Sequence, residues 1–343
     1  MRQQGVALIT ALLVVSLATV AAVAMAERFQ LDMRRSANLL NGEQAYAYAV
    51  AAEDWAYVIL RRDRSESQHD SLDEDWSTSL PPIPVEGGFV IGHIEDLQGR
   101  FNVNNLILAV SGSGAGAKSG AGAAVKAAAR AGVKAKTSAA PNVSSTTPDL
   151  DYYKRLLEAL DLEPTLATAL LDWLDGDIDV TLPDGAEDDE YLRADLPYRA
   201  ANRPMVDVSE LRLVKGYTPE VLAKLEPYIT ALPVATTINV NTASPVVLQA
   251  LHAELEPSDV EQLIEVREEE PFTDRAAFLA NDALAGLDLA IGVDVKSDWF
   301  NVQTDVSVGR GRARLESRIL RTADKLQVVS RTRTGKPLLV MLE

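Results

Sequence analysis

The chain begins MRQQGVALITALLVVSLATVAAVAMAERF, and the run from Val6 to Ala26 carries no charge. At about 1.5 Å per residue such a helix is about 30 Å long, the thickness of a bilayer's hydrocarbon core. The positive charge precedes it, at Arg2 and the α-amine, which sets the N-terminus in the cytoplasm and the remaining chain outside. Three fates fit such a segment: an uncleaved anchor, a secretory signal cut after the small-x-small run Ala24-Met25-Ala26, or a leader cut after Gly5 that leaves the apolar helix on the mature chain. The helical pattern does not stop at Ala26. Phe29, Met33, Ala37, Leu40, Ala47, Ala51 and Val58 follow at spacings of 3, 4 or 7, and no proline occurs before Pro81. The spacing predicts one helix from near residue 6 to near residue 61, amphipathic in its second half. A cleavable signal has no reason to flow into such a helix.

A polar, acidic connection with Pro81-Pro82-x-Pro84 at its end comes next. GGFVIGHIEDLQGRFNV reads as one strand and the start of another. The clearest β pattern is C-terminal. Phe300, Val302, Thr304, Val306 and Val308 alternate, as do Ala313, Leu315, Ser317 and Ile319, then Leu326, Val328 and Ser330. Period-2 alternation predicts a half-buried antiparallel meander. Its first strand, near residue 90, is separated from the others by a long stretch with helical character, so a second domain is expected inside the sheet.

That stretch repeats itself. FNVNNL at 101–106 matches INVNTA at 238–243, and 157–175 matches 251–269. The first copy is interrupted by a Gly/Ala/Lys-rich segment, about 109–148, whose composition builds no core. GAGAKSG within it lacks the glycine before the lysine that a phosphate loop needs. The second copy resembles helix-hairpin-helix modules. Its hairpin, Glu254-Leu255-Glu256-Pro257, has carboxylates where glycines would meet phosphate. The whole chain has 50 acidic against 33 basic residues, and so lacks the basic surface that nucleic-acid binding requires.

The densest charge is DWLDGDIDVTLPDGAEDDEYL, and Asp161 to Asp195 contains twelve acids and one base, Arg193. Repulsion on that scale calls for a counter-ion. Asp175, Asp177 and Asp179 alternate as in a calcium loop. The EF-hand glycine position is Val180, and its bidentate glutamate position is Ala186. Hard oxygen donors favour calcium over zinc or copper, while a solvated acidic turn is the other reading. No cysteine is present, which excludes disulfides and thiolate metal sites. The three histidines lie in separate segments, and neither HExxH nor GxSxG occurs. The chain is read as a non-enzyme.

A short leader ending in glycine, an apolar half-helix and an amphipathic half-helix resemble the type IV pilin and pseudopilin superfamily. With Val6 as the first mature residue, the fifth position is Thr10, where members usually carry glutamate. A carboxylate inside the bilayer costs about 2.5–3.5 kcal/mol unless partnered. In the family that partner is the amine of the subunit assembled before it, so Thr10 suits a subunit with none ahead.

The helical insertion and the run GAEDDEYLRADLPYRAANRPMVDVSELRLVKG narrow the resemblance to the K-type minor pseudopilins of type II secretion. That resemblance implies an α+β fold: a pilin-like N-terminal helix packed on a small antiparallel sheet, with a mainly helical domain of two related SAM-like, helix-hairpin-helix-like units inserted in the sheet. The expected divisions are a leader at 1–5, a transmembrane half-helix at 6–26, pilin-like parts at 27–104 and 296–343, and the insertion at 105–295.

It also implies cleavage between Gly5 and Val6 by a prepilin peptidase, N-methylation of Val6, and calcium at Asp175, Asp177, Glu187 and Asp188. Partners implied are the I- and J-type minor pseudopilins at the pseudopilus tip, the H-type, the secretin and exported cargo. The location implied is the inner membrane of a Gram-negative-type envelope, single-pass with the bulk periplasmic. The competing readings are a minor pilin of a type IV pilus or DNA-uptake system, and a membrane-anchored periplasmic calcium-binding protein.

Overall fold

A computed structural model describes residues 4–78, 81–108, 147–322 and 325–333, with side chains from residue 8. Most of the low-complexity segment, GAGAKSG included, and the last ten residues lie outside the described residues. Helix α1, Gln4–Glu66, is one unbroken helix, about 95 Å long at about 1.5 Å per residue. Among the described residues it is the one helix long and apolar enough to cross a membrane, and its most apolar 18-residue window has a mean hydropathy of 2.5 and no buried residue.

The helix meets the rest of the molecule from Asn41 onward. Ala45, Ala49, Glu53, Ala56 and Leu60 are buried, a face that advances by 4, 4, 3 and 4 residues. Small alanines let the sheet approach closely. The stripe read from the sequence lies elsewhere on the cylinder: Phe29, Met33, Leu40 and Val58 are exposed large apolar residues, and Ala47 and Ala51 are also exposed. That stripe is therefore not the core-facing side. The core face was hidden because it combines small residues with a buried acid.

Five antiparallel strands form the sheet, in the order β1-β2-β7-β8-β9. They are β1 (Ile83–Val85), β2 (Gly88–Asp96), β7 (Trp299–Val308), β8 (Gly311–Arg321) and β9 (Leu326–Thr332). The proline-flanked β1 occupies one edge, where a missing N–H is tolerated. Strand β2 pairs along its whole length with β7, from Gly88↔Val308 to Asp96↔Phe300. The chain thus leaves the sheet at Asp96 and re-enters it at Trp299. Phe300, Val302, Thr304, Val306, Leu315, Ser317 and Ile319 are buried. Phe300, Val302 and Ile319 share a core with Ala56 and Leu60, and Val306 and Leu315 share one with Ala45 and Ala49. At the β7–β8 turn, Gly309 has φ +54°, and a Cβ on Gly311 would overlap the backbone of Asn41 and Gly42. The turn therefore rests directly on the helix.

Two buried polar joints fasten this assembly. Glu53 accepts hydrogen bonds from Ser317 and from Arg331, with Arg331 Nε 2.8 Å away. Arg321, only 1% exposed, pairs with Asp63 at 2.7 Å and with Asp70, donates to the Ser297 carbonyl at 2.9 Å, and stacks 4.4 Å from the Phe300 ring centroid. Asp63, Asp70 and Glu74 lie close enough for a metal. The guanidinium already occupies two of them, and Glu74 accepts from the Trp76 indole and the Ser71 amide.

The inserted part is built around the repeat. Strand β3 (Phe101–Asn102) runs parallel to β4 (Ile229–Thr230), and β5 (Ile238–Asn239) runs parallel to β6 (Val293–Asp294). Phe101 and Asn102, which the sequence reading kept with the sheet, therefore belong with the helices. In each copy the second asparagine clamps a distant backbone from both sides. Asn104 accepts from the Met205 amide and donates to the Met205 and Leu232 carbonyls. Asn241 accepts from the Phe272 amide and donates to its carbonyl.

Around these strands lie α2 (Pro148–Ala159), α3 (Leu166–Leu174), α4 (Asp188–Tyr191), α5 (Pro219–Leu225), α6 (Pro245–Gln249), α7 (Pro257–Glu269) and α8 (Arg275–Leu279). Both copies contribute to one continuous core. Across it Tyr152 donates to the Val247 carbonyl, and Arg155 donates to the Ala250 and Leu251 carbonyls. Asp96, at the exit from the sheet, accepts from Asn239, Ser297, Thr242 and the Gln98 amide. Burial pushes its carboxyl up to about 6 against those donors.

Candidate metal centre

Helix α3 is apolar through Leu170, Leu171, Trp173 and Leu174, and it ends at Asp175, whose amide still donates to the Leu171 carbonyl. The chain then loops out and returns at Glu187, the residue before α4. Asp175, Asp177 and Glu187 each bring a carboxylate oxygen within 4.8 Å of the others. Asp175 and Glu187 are buried, while Asp177 is exposed.

Asp175 Oδ1 and both carboxylate oxygens of Glu187 are buried without a hydrogen-bond donor among the described residues. Asn202 Oδ1 shares that condition, while its Nδ2 donates to the Asp177 carbonyl at 2.7 Å. Asn202 has φ 46°, a left-handed conformation that asparagine tolerates better than most residues. Burial, then the charges of Asp177 and Asp172, raise the Asp175 carboxyl to about 7. Burial, then Asp172 and Asp175, raise Glu187 to about 7.

Asp172, on the last turn of α3, is fully buried and accepts from the Thr181 amide at 3.1 Å, which folds the loop back. Gly185 packs so tightly here that a Cβ would overlap the Asp172 carboxylate. Beneath the loop Trp173, Tyr191 and Tyr198 form an aromatic floor, with centroids 5.2 to 6.2 Å apart. Asp188 is not gathered with the other acids. Its Oδ1 accepts from the Ala200 amide at 3.0 Å, and its Oδ2 lies 3.7 Å from Arg199. The sequence reading began the acidic run at Asp172 but left it out of the ligand set, and it did not include Asn202, which is distant in the chain.

Buried, crowded oxygens with no donors are the chemistry of a hard-cation site. Thiolate and imidazole are absent from the set, so a divalent ion of the calcium type fits it better than zinc or copper.

Comparison with known proteins shows what carries this centre. The family profile described as type II secretion system protein K matches in two parts, at residues 99–234 and 238–302. The junction falls between the two asparagine-clamped copies. The type II secretion system protein K of Pseudomonas aeruginosa is 33% identical over 96% of this chain and 92% of its own length. This chain belongs to the type II secretion system protein K family. The Aeromonas hydrophila protein K is 31% identical over 97% of this chain and 98% of its own length. A chain of the GspK-GspI-GspJ complex from enterotoxigenic Escherichia coli superposes with a TM-score of 0.72 at 25% identity, covering 88% of this chain and all of that one. The protein K fold is α+β, with a long helix on an antiparallel sheet, and the chain is a minor pseudopilin of type II secretion.

Proposed function

We propose that this minor pseudopilin acts at the tip of the pseudopilus, as a protein K assembled with I- and J-type subunits, where it starts the fibre and supports export of folded proteins. The observation that carries this reading is the bare helix. Residues 8–40 of α1 are exposed throughout. A bilayer covers only about 30 Å of that length, some 20 residues. Phe29, Leu31, Met33, Leu39 and Leu40 lie beyond it, each more than half exposed. An apolar helical face outside the membrane needs protein neighbours. The relative of known structure is part of a GspK-GspI-GspJ complex.

Thr10 and the bulky insertion favour the leading position: no carboxylate seeks a preceding subunit, and the insertion obstructs stacking above. Cleavage between Gly5 and Val6, methylation of Val6, anchoring in the inner membrane and action without catalysis belong to the same proposal. The metal centre is assigned to calcium, held by Asp175, Asp177 and Glu187 with Asn202 beside them. Bound there, the cation would supply the positive charge that lets these acids stay ionised and close the loop.

The test is co-purification of the full chain with its I and J subunits from membranes. Leu39→Asp with Leu40→Asp is expected to abolish it while leaving thermal unfolding of the folded part unchanged. Retention of both partners would refute the helix as the assembly surface.

A further inference from the structure

Strand β7 buries a polar side chain that is only half satisfied. Asn301 alternates with Phe300 and Val302, which pack against α1, so it lies on the other face of the sheet, toward the insertion. It is 4% exposed. Its Nδ2 donates to Glu316 Oε1 at 3.0 Å, while its Oδ1 is buried with no donor among the described residues. A carboxylate accepts and does not donate, so turning the amide over would only set its oxygen against Glu316. The orphaned atom is therefore an acceptor, and a bound donor would complete it.

Asn301 lines a cleft between the outer face of the sheet and the insertion, with about 730 Å³ of empty space, part of it open to solvent. That is the scale of a small-ligand site, and such sites favour junctions of this kind. Two arginines bordering it are already engaged. Arg318 donates to Asp207 at 2.7 Å and to the Val206 and Ala231 carbonyls, and Arg100 pairs with Glu95. The uncommitted groups differ at the two ends. Inside are two acceptors, Asn301 Oδ1 and the second carboxylate oxygen of Glu316. Outside is the exposed Arg212 guanidinium, which has no acid partner among the described residues. Leu97, Leu222 and Ile229 add apolar wall.

We propose that this cleft binds a lysine-type group: an ammonium on an aliphatic stem whose far end is a carbonyl or carboxylate. The ammonium donates to Asn301 Oδ1 and to Glu316, whose charge balances it. The stem lies along the apolar walls, as long cationic side chains do. The far end accepts from Arg212. A bare metal ion would leave those walls uncovered, and an anion would meet the buried acceptors. The site is separate from the acids after α3 and does not depend on the tip assignment. Free lysine and a lysine within a peptide share the required chemistry.

Saturation-transfer NMR of the full chain in detergent tests this, with free lysine and the blocked tripeptide acetyl-Gly-Lys-Gly-amide as probes. Saturable binding is expected. Binding of the tripeptide alone identifies a protein lysine as the ligand, binding of free lysine alone identifies the amino acid, and binding of both shows a cleft open to either. A norleucine tripeptide, which keeps the stem without the ammonium, should bind at least about tenfold more weakly, because hydrogen bonds to a charged group are lost. Glu316→Gln should weaken binding about tenfold with its unfolding midpoint unchanged, and Arg212→Gln about threefold, as for an exposed pair. Asn301→Leu should abolish binding; if that variant does not fold, Glu316→Gln decides. No saturable binding by either probe, the cleft then holding water alone, would overturn the proposal. So would equal binding of the norleucine tripeptide, or binding unchanged by Glu316→Gln.

Discussion

Arg321 is the residue whose removal the fold should tolerate least. Its guanidinium is buried between Asp63, at the end of α1, and Asp70, while Ser297 and Leu60 supply backbone carbonyls. It therefore ties the helix, the sheet and the return from the insertion at one point. Arg321→Ala would leave two carboxylates facing each other without their cation. Breaking a buried pair by deleting one partner typically costs about 3–5 kcal/mol. At about 2–4 °C per kcal/mol for a folded unit of this size, the midpoint should fall by about 6–20 °C.

Thermal unfolding of the full chain in detergent, followed by near-ultraviolet circular dichroism, reads this directly, because Trp76 and Phe300 pack edge to face beside the pair. Arg321→Met with Asp63→Asn and Asp70→Asn should recover most of the loss, since the cost lies in uncompensated charge rather than in the absent pair. A fall of less than about 2 °C for Arg321→Ala, under 1 kcal/mol on the same scale, would refute the reasoning. So would a triple variant no more stable than the single one.

Three further outcomes follow from the same geometry. Asp175 and Glu187 have folded values near 7, above those of ordinary carboxyls. In chelator, their contribution to stability is therefore complete below about pH 4 and lost as pH rises through 7. Calcium should abolish that loss, as midpoints measured from pH 4 to 8 with and without calcium would reveal. Asn241→Ala removes both hydrogen bonds to Phe272 and leaves its buried amide and carbonyl unpaired. We expect a loss of about 2–4 kcal/mol in denaturant titration, and Asn104→Ala should behave alike. Gly311→Ala places a methyl group against the helix backbone at Asn41 and Gly42. It should destabilise by about 1–3 kcal/mol, whereas Gly286→Ala, with open space but φ +83°, should cost only backbone strain.

Some of this architecture is written locally and some is not. The period-2 alternation at 300–308 and 313–319 is legible because the inward positions of those strands pack against α1, all of them buried except the half-buried Ala313. The helix is legible in extent, but its packed side is not. Ala45, Ala49 and Ala56 carry little hydrophobic signal, Glu53 carries the opposite one, and the strong stripe belongs to a surface left open. The repeat was visible in its asparagines, while their partners, Met205 and Phe272, are set by tertiary contact. Within the acidic run Asp175 and Asp177 stood out by charge and alternation, whereas Glu187 joined them only through the family resemblance. Asp188 differs from them only in the direction of its side chain, which the Ala200 amide decides, and nothing in sequence spacing encodes that. Asn202 enters the site through a backbone reversal that the sequence does not announce.

The central claim is that this chain passes through pilin processing and serves as a minor pseudopilin with its apolar helix retained. Intact mass and N-terminal sequencing of the protein from its native membrane test it most directly. The account predicts a chain that begins at N-methylated Val6. A chain that begins at Met1 or at Glu27 would contradict it.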